Sequence, residues 1–101
     1  MHPEKDRLVI DGTRCWGGVF DALDGTVIAR RSFKQARAAN FSHRRLFTPA
    51  IAEGIEHGHY HFFFFDPLTR RIELAWVNNQ AEPTSEAIAA LRAKVSFASA
   101  A

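Results

Sequence analysis

The residues best suited to chemistry are three histidines at alternate positions, His57, His59 and His61, in the segment His57-Gly58-His59-Tyr60-His61. On an extended chain, side chains two apart share a face. His59 and His61 therefore point the same way, which is the spacing of a two-imidazole metal grip. A zinc site takes at least three protein ligands, and His57, Glu56 and Glu73 are the residues in reach to add one. Set against this, polar residues at the entry of a strand face water without any ligand role, and no known metal motif is completed here. Cys15 is the only cysteine, which excludes an intrachain disulfide and a cysteine metal cluster. As a nucleophile it would need a base or a helix N-terminus to lower its pKa, and Arg14-Cys15-Trp16-Gly17-Gly18 supplies neither. The glycines at 12, 17, 18 and 25 match no phosphate-binding loop. Asp21, Asp24 and Asp66 sit in turn sequences, where aspartate caps its own backbone. The chain reads as non-enzymatic and needs no cofactor.

Charge is the second candidate. The formal net charge is only +2, yet between Asp24 and Glu53 there is no acidic residue while Arg30, Arg31, Lys34, Arg37, Arg44 and Arg45 are all cationic. Arg70 and Arg71 add a second basic pair. Arginine outnumbers lysine in these segments, which suits bidentate contacts to phosphate or carboxylate. The expected partner is anionic, either nucleic acid, through phosphate neutralisation, or an acidic protein surface. The alternative is a solvated charged face that keeps the domain soluble. An RNA-recognition reading of the aromatic run fails, because Tyr60-His61-Phe62-Phe63-Phe64-Phe65 lacks the glycine and basic residues of that pattern.

These residues must be positioned by one small domain. A length of 101 residues with 47% hydrophobic and 12% aromatic content fits a single packed core. No apolar stretch approaches the roughly 20 residues that cross a bilayer, so no membrane partner is expected. The charged N-terminus has no apolar segment behind it and is not a secretory signal. With a single cysteine, the expected compartment is the cytoplasm.

The pattern along the chain predicts the order β-β-β-α-α-β-β-α. This is an α+β fold with an antiparallel sheet of about five strands, helices packed on one face, and residues 1–6 and 97–101 frayed. Leu8-Val9-Ile10 is a brief strand closed by Asp11-Gly12. Asp24-Gly25 signals a type I′ hairpin. In that hairpin Leu23 pairs with Thr26 and Phe20 with Ala29, and Trp16, Phe20, Val27, Ala29 and Phe33 share one face. Ser32-Phe33-Lys34-Gln35 is a capping box opening a short helix that ends near Asn40. After a bend, Thr48-Pro49 starts a second helix carrying Ile51 and Ile55, which ends at about His57 with Gly58 as its cap. Residues 78–83 form a polar loop. Thr84 or Ser85 then caps a last helix with the stripe Ile88, Leu91 and Val95.

The clearest element is the hairpin of His59–Asp66 with Arg70–Val77. Its second strand alternates Ile72, Leu74 and Trp76 with Arg71, Glu73 and Ala75, but the first is apolar on both faces, so only the loop can fix the register. A loop of three or five residues sets Tyr60, Phe62 and Phe64 opposite Trp76, Leu74 and Ile72, and keeps His59 and His61 out of the core. A loop of two or four residues sets His59, His61, Phe63 and Phe65 there instead. The first arrangement is preferred. It leaves Phe63 and Phe65 on a second apolar face, to be covered by a helix, by the N-terminal strands, or by a partner in a homodimer or other interface.

Overall fold

The computed structural model of the chain describes residues 4–77 and 81–98. The predicted fraying of Met1 to Pro3 and of residues 99–101, and part of the predicted 78–83 loop, lie outside the described residues. Among the described residues the architecture is α+β, with two antiparallel sheets and four helices. A small sheet has the order β2-β1-β7, built from β1 (Leu8–Ile10), β2 (Thr13–Cys15) and β7 (Ser96–Phe97). The larger sheet has the order β4-β3-β5-β6, from β3 (Gly17–Asp21), β4 (Val27–Arg31), β5 (Tyr60–Asp66) and β6 (Arg71–Ala75). Helices α1 (Phe33–Ala38), α2 (His43–Leu46) and α3 (Pro49–Glu56) join β4 to β5, and α4 (Ser85–Lys94) precedes β7. One five-stranded sheet was expected; the chain instead splits its strands between two sheets.

The helix boundaries follow from local chemistry. Ser32 Oγ accepts from the Gln35 amide at 3.1 Å and Gln35 Oε1 from the Ser32 amide at 2.8 Å, the two halves of a capping box. Thr48 caps α3 with Pro49 at its first position, and Gly58 follows α3 at φ +81°. Thr84 caps α4, whose buried stripe is Ala87 and Leu91.

The hairpins correct the sequence reading. The tight two-residue turn belongs to Asp11-Gly12, both at positive φ and flanked by the Ile10–Thr13 pair, as a type I′ hairpin requires. Asp24-Gly25 sits instead in a wider loop. There the Asp21 carboxylate accepts from the Leu23 and Asp24 amides, while Ala22 bonds sideways to His59 and Thr84. Phe20 consequently faces Val27, and Val19 faces Ala29, with a bulge between. Gly25 is held at φ +79° against the Ala87 carbonyl and the Ala90 methyl of α4, where a Cβ would collide.

The β5–β6 register is also the reverse of the preferred one. Four loop residues, 67–70, separate the Asp66–Arg71 pair, and Arg70 takes φ +58° with its amide on the Asp66 carbonyl. That pairs Phe65 with Ile72 and Phe63 with Leu74. Phe63, Phe65 and His61 are thus buried on one face with Phe20, while Tyr60, Phe62 and Phe64 occupy the other. The first face is covered from within the chain. Phe65 meets Phe97 of β7 and the guanidinium of Arg7, and Ile72 lies beside Arg92 and Val95 of the α4 end. The second face is covered by the helical connection, where Phe47 packs its ring on Phe62 at 5.6 Å. Helices therefore lie on both faces.

The termini contribute to this cover. Phe97 pairs with Leu8, and the Ala98 amide bonds to the Arg7 carbonyl at 2.7 Å. Asp6 is buried as well, and its carboxylate accepts from the Phe33 amide at 2.6 Å.

Candidate functional site

Trp16 organises an aromatic concavity. It lies just ahead of β3, with its ring 5.5 Å from Phe64, 5.9 Å from Phe62 and 5.6 Å from Phe41, all in tilted or edge-on geometry. Together with His43, Ala75, Trp76 and Val77 these rings wall an apolar cleft of about 320 Å³. Cavities that take small ligands are of this size and this mainly aromatic character. The strands supply the floor, Phe62 and Phe64, at alternate positions of β5. The segment between α1 and α2 supplies the rim.

That rim is conformationally costly. Asn40 and Phe41 both adopt φ +57°, a region that costs a non-glycine residue about 1–2 kcal/mol. Two amide bonds hold them there, Phe41 N–H to the Ala36 carbonyl at 2.8 Å and Ser42 N–H to Ala39 at 3.0 Å. The product is a phenylalanine that wedges its ring between Trp16 and Phe33 and is still 51% exposed. Trp76, also in the lining, is equally exposed at 51%. Large aromatic rings held half in water are the groups a flat ligand can stack on.

His43 gives the wall a polar edge. His43 Nε2 lies 2.7 Å from Glu56 Oε2, and Arg44 bonds the other carboxylate oxygen. The hydrogen bond from His43, helped by the Arg44 charge, holds the Glu56 carboxyl below the ordinary carboxylate range. An ionised carboxylate only accepts, so Nε2 carries a proton and the imidazole is fixed in orientation at the cleft edge. Glu56 is therefore spent on α2, not available to His59 as a metal ligand.

The predicted basic residues divide by role. Arg30 donates to the Ile10 carbonyl at 2.7 Å, and Arg31 donates to Leu46 and Arg30 carbonyls while lying over the Phe47 ring. Both tie elements together. Lys34 and Arg37 on α1, and Arg44 and Arg45 on α2, are exposed. Arg45 borders a shallow depression with Arg31 and Gln35. Arg70 and Arg71 are exposed at the hairpin end, where Arg92 of α4 joins them around a groove floored by Ile72, Val95 and Phe97. Nothing local in the sequence links Arg92 to the 67–70 turn.

The remaining candidates are placed less favourably for chemistry. His57 and His59 are exposed with ring centroids 6.2 Å apart, whereas His61 is fully buried with neither ring nitrogen hydrogen-bonded. Its ring stands edge-on to Trp76 at 4.7 Å and to Phe20 at 5.9 Å, and burial lowers its pKa. Among the described residues no group of three His, Cys, Asp or Glu is disposed to hold a metal ion. Cys15 is buried, and desolvation pushes its thiol up to about 11, so it stays protonated at neutral pH. Phe63 and Phe65, expected at an interface, are inside the chain's own core. No described helix is long and apolar enough to cross a membrane.

The cleft residues Phe41, His43 and Trp76 were missed as a site. Trp76, expected as an inward strand residue, lies just past the end of β6 at Ala75, half exposed and with its ring edge-on against the buried His61 ring at 4.7 Å. Asn40 was visible as a helix stop; that Phe41 shares its left-handed backbone was not. No known protein family, curated protein or solved structure matches this chain.

Proposed function

We propose that the chain is a non-enzymatic binding module for an anionic partner, and that the partner is single-stranded nucleic acid. The observation that carries this reading is the aromatic cleft, open between Phe41 and Trp76, with α2 at its edge presenting His43, Arg44 and Arg45 in succession. Unpaired bases stack on exposed aromatic rings with little regard to sequence, and arginines beside them neutralise the phosphates. Lys34 and Arg37 extend the cationic surface along α1. A duplex hides its base faces, so it offers the cleft nothing. An acidic protein surface would use the arginines and leave the cleft idle.

Both tryptophans line this cleft, so intrinsic fluorescence reports on it directly. A single-stranded oligonucleotide should quench the emission saturably, more weakly as salt rises, and with lower affinity in Arg45→Glu. Polyglutamate and duplex DNA should leave the emission unchanged. Equal responses to single strand and duplex, or binding without a tryptophan signal, would contradict the reading.

A further inference from the structure

The outer edge of the larger sheet carries a self-complementary charge pattern. Strand β6 is last in the order β4-β3-β5-β6, no described strand pairs with its outer side, and each residue from Arg71 to Trp76 keeps some exposure. An outer strand presents unpaired N–H and C=O groups, which proteins commonly blunt with charge. The two charges here, Arg71 and Glu73, are two residues apart, of opposite sign and therefore on one face. Neither forms an ion pair with another described residue, and the Glu73 carboxylate accepts from the Thr69 hydroxyl at 3.1 Å.

We propose that two copies of this chain pair antiparallel along β6, with Ile72 opposite Ile72 of the second copy. The two four-stranded sheets then run on as one. In this register Arg71 of each copy faces Glu73 of the other, so the ion pair forms twice about a two-fold axis, as an isologous interface demands. Neighbouring symmetric registers lack this match. Centring on Glu73 opposes two carboxylates and centring on Arg71 opposes two guanidinium groups, while centring on Leu74 leaves both charges without an opposite partner. Registers with odd offset set Ile72 against Glu73 and mix the two faces of the sheet. The chosen register also brings Leu68, 93% exposed at the hairpin turn, toward the Ala75 end of the second copy's strand.

This inference does not depend on the cleft, and its test contains no nucleic acid. Sedimentation velocity of the purified chain across a range of concentrations should show a monomer–dimer equilibrium. Arg71→Glu and Glu73→Arg should each weaken it about tenfold or more, since each creates two like-charge cross-strand pairs. The double variant Arg71→Glu with Glu73→Arg should restore it. Both side chains lie on the surface, and circular dichroism checks that each variant is folded. Amide exchange in β6 should slow as concentration rises. A monomer at every concentration, a dimer indifferent to both single reversals, or single losses that the double variant does not repair would each overturn the proposal.

Discussion

Replacing His61 with phenylalanine should stabilise the domain and flatten its response to mild acid. The His61 ring is fully buried beside Phe20 and Trp76, with two nitrogens that bond to nothing. A buried polar group without a partner costs about 1–3 kcal/mol. Phenylalanine keeps the edge-on aromatic contacts and removes that cost, at the expense of a slightly larger ring in a close-packed site. The net expectation is a gain of about 1 kcal/mol at neutral pH.

The pH effect is the sharper part. Burial lowers the folded-state pKa of His61 below its ordinary 6.5. The unfolded chain therefore binds a proton first as pH falls through 6.5, and stability present above that pH is lost below it, by at most about 1.4 kcal/mol per pH unit. Glu56, whose folded pKa lies below an ordinary 4.5, contributes its own loss only at still lower pH. Between pH 6.5 and 4.5 the slope should thus belong mainly to His61. Urea unfolding followed by tryptophan emission at several pH values measures it. A wild-type stability that is flat through this window, or a His61→Phe variant that keeps the slope, would refute the reasoning.

Other consequences are simpler to check. Glu56→Gln releases His43 and Arg44 from their shared carboxylate, so single-stranded oligonucleotide should bind a few-fold more tightly and with a steeper salt dependence, measured by fluorescence titration. Cys15 should resist alkylation at neutral pH in the folded chain and react promptly in denaturant, because its thiol is buried and held at about 11. Mass spectrometry of the two samples distinguishes these.

What the sequence showed best was local. Ser32 with Gln35, Thr48 with Pro49, and Thr84 each place a hydroxyl where a helix start needs an acceptor, and all three caps are formed. The β5–β6 register was not legible, because four consecutive phenylalanines satisfy either face and the decision passed to the 67–70 loop. Only the left-handed backbone at Arg70 reveals that loop's length. The two Asp-Gly turns are locally alike, and what separates them is Ala22, anchored to His59 and Thr84 from distant parts of the chain. Long-range partners also decided the fate of the arginines. Arg30 and Arg31, expected among the partner-binding charges, also donate to the carbonyls of Ile10 and Leu46, which are remote in sequence. The cleft was hidden for the same reason, since it joins Trp16, the Phe41 segment and the end of β6, which are remote in sequence.

The most direct test of the cleft as a nucleic-acid site is the affinity of one single-stranded oligonucleotide for wild type and Trp76→Ala, measured across a range of salt concentrations. Removing one stacking ring should lower affinity by about fivefold to a hundredfold. With three or four phosphates neutralised by the cations of α1 and α2, the slope of log affinity against log salt should be about −2 to −3 in both proteins. Equal affinities for the two proteins, or no saturable binding at low salt, would contradict the account.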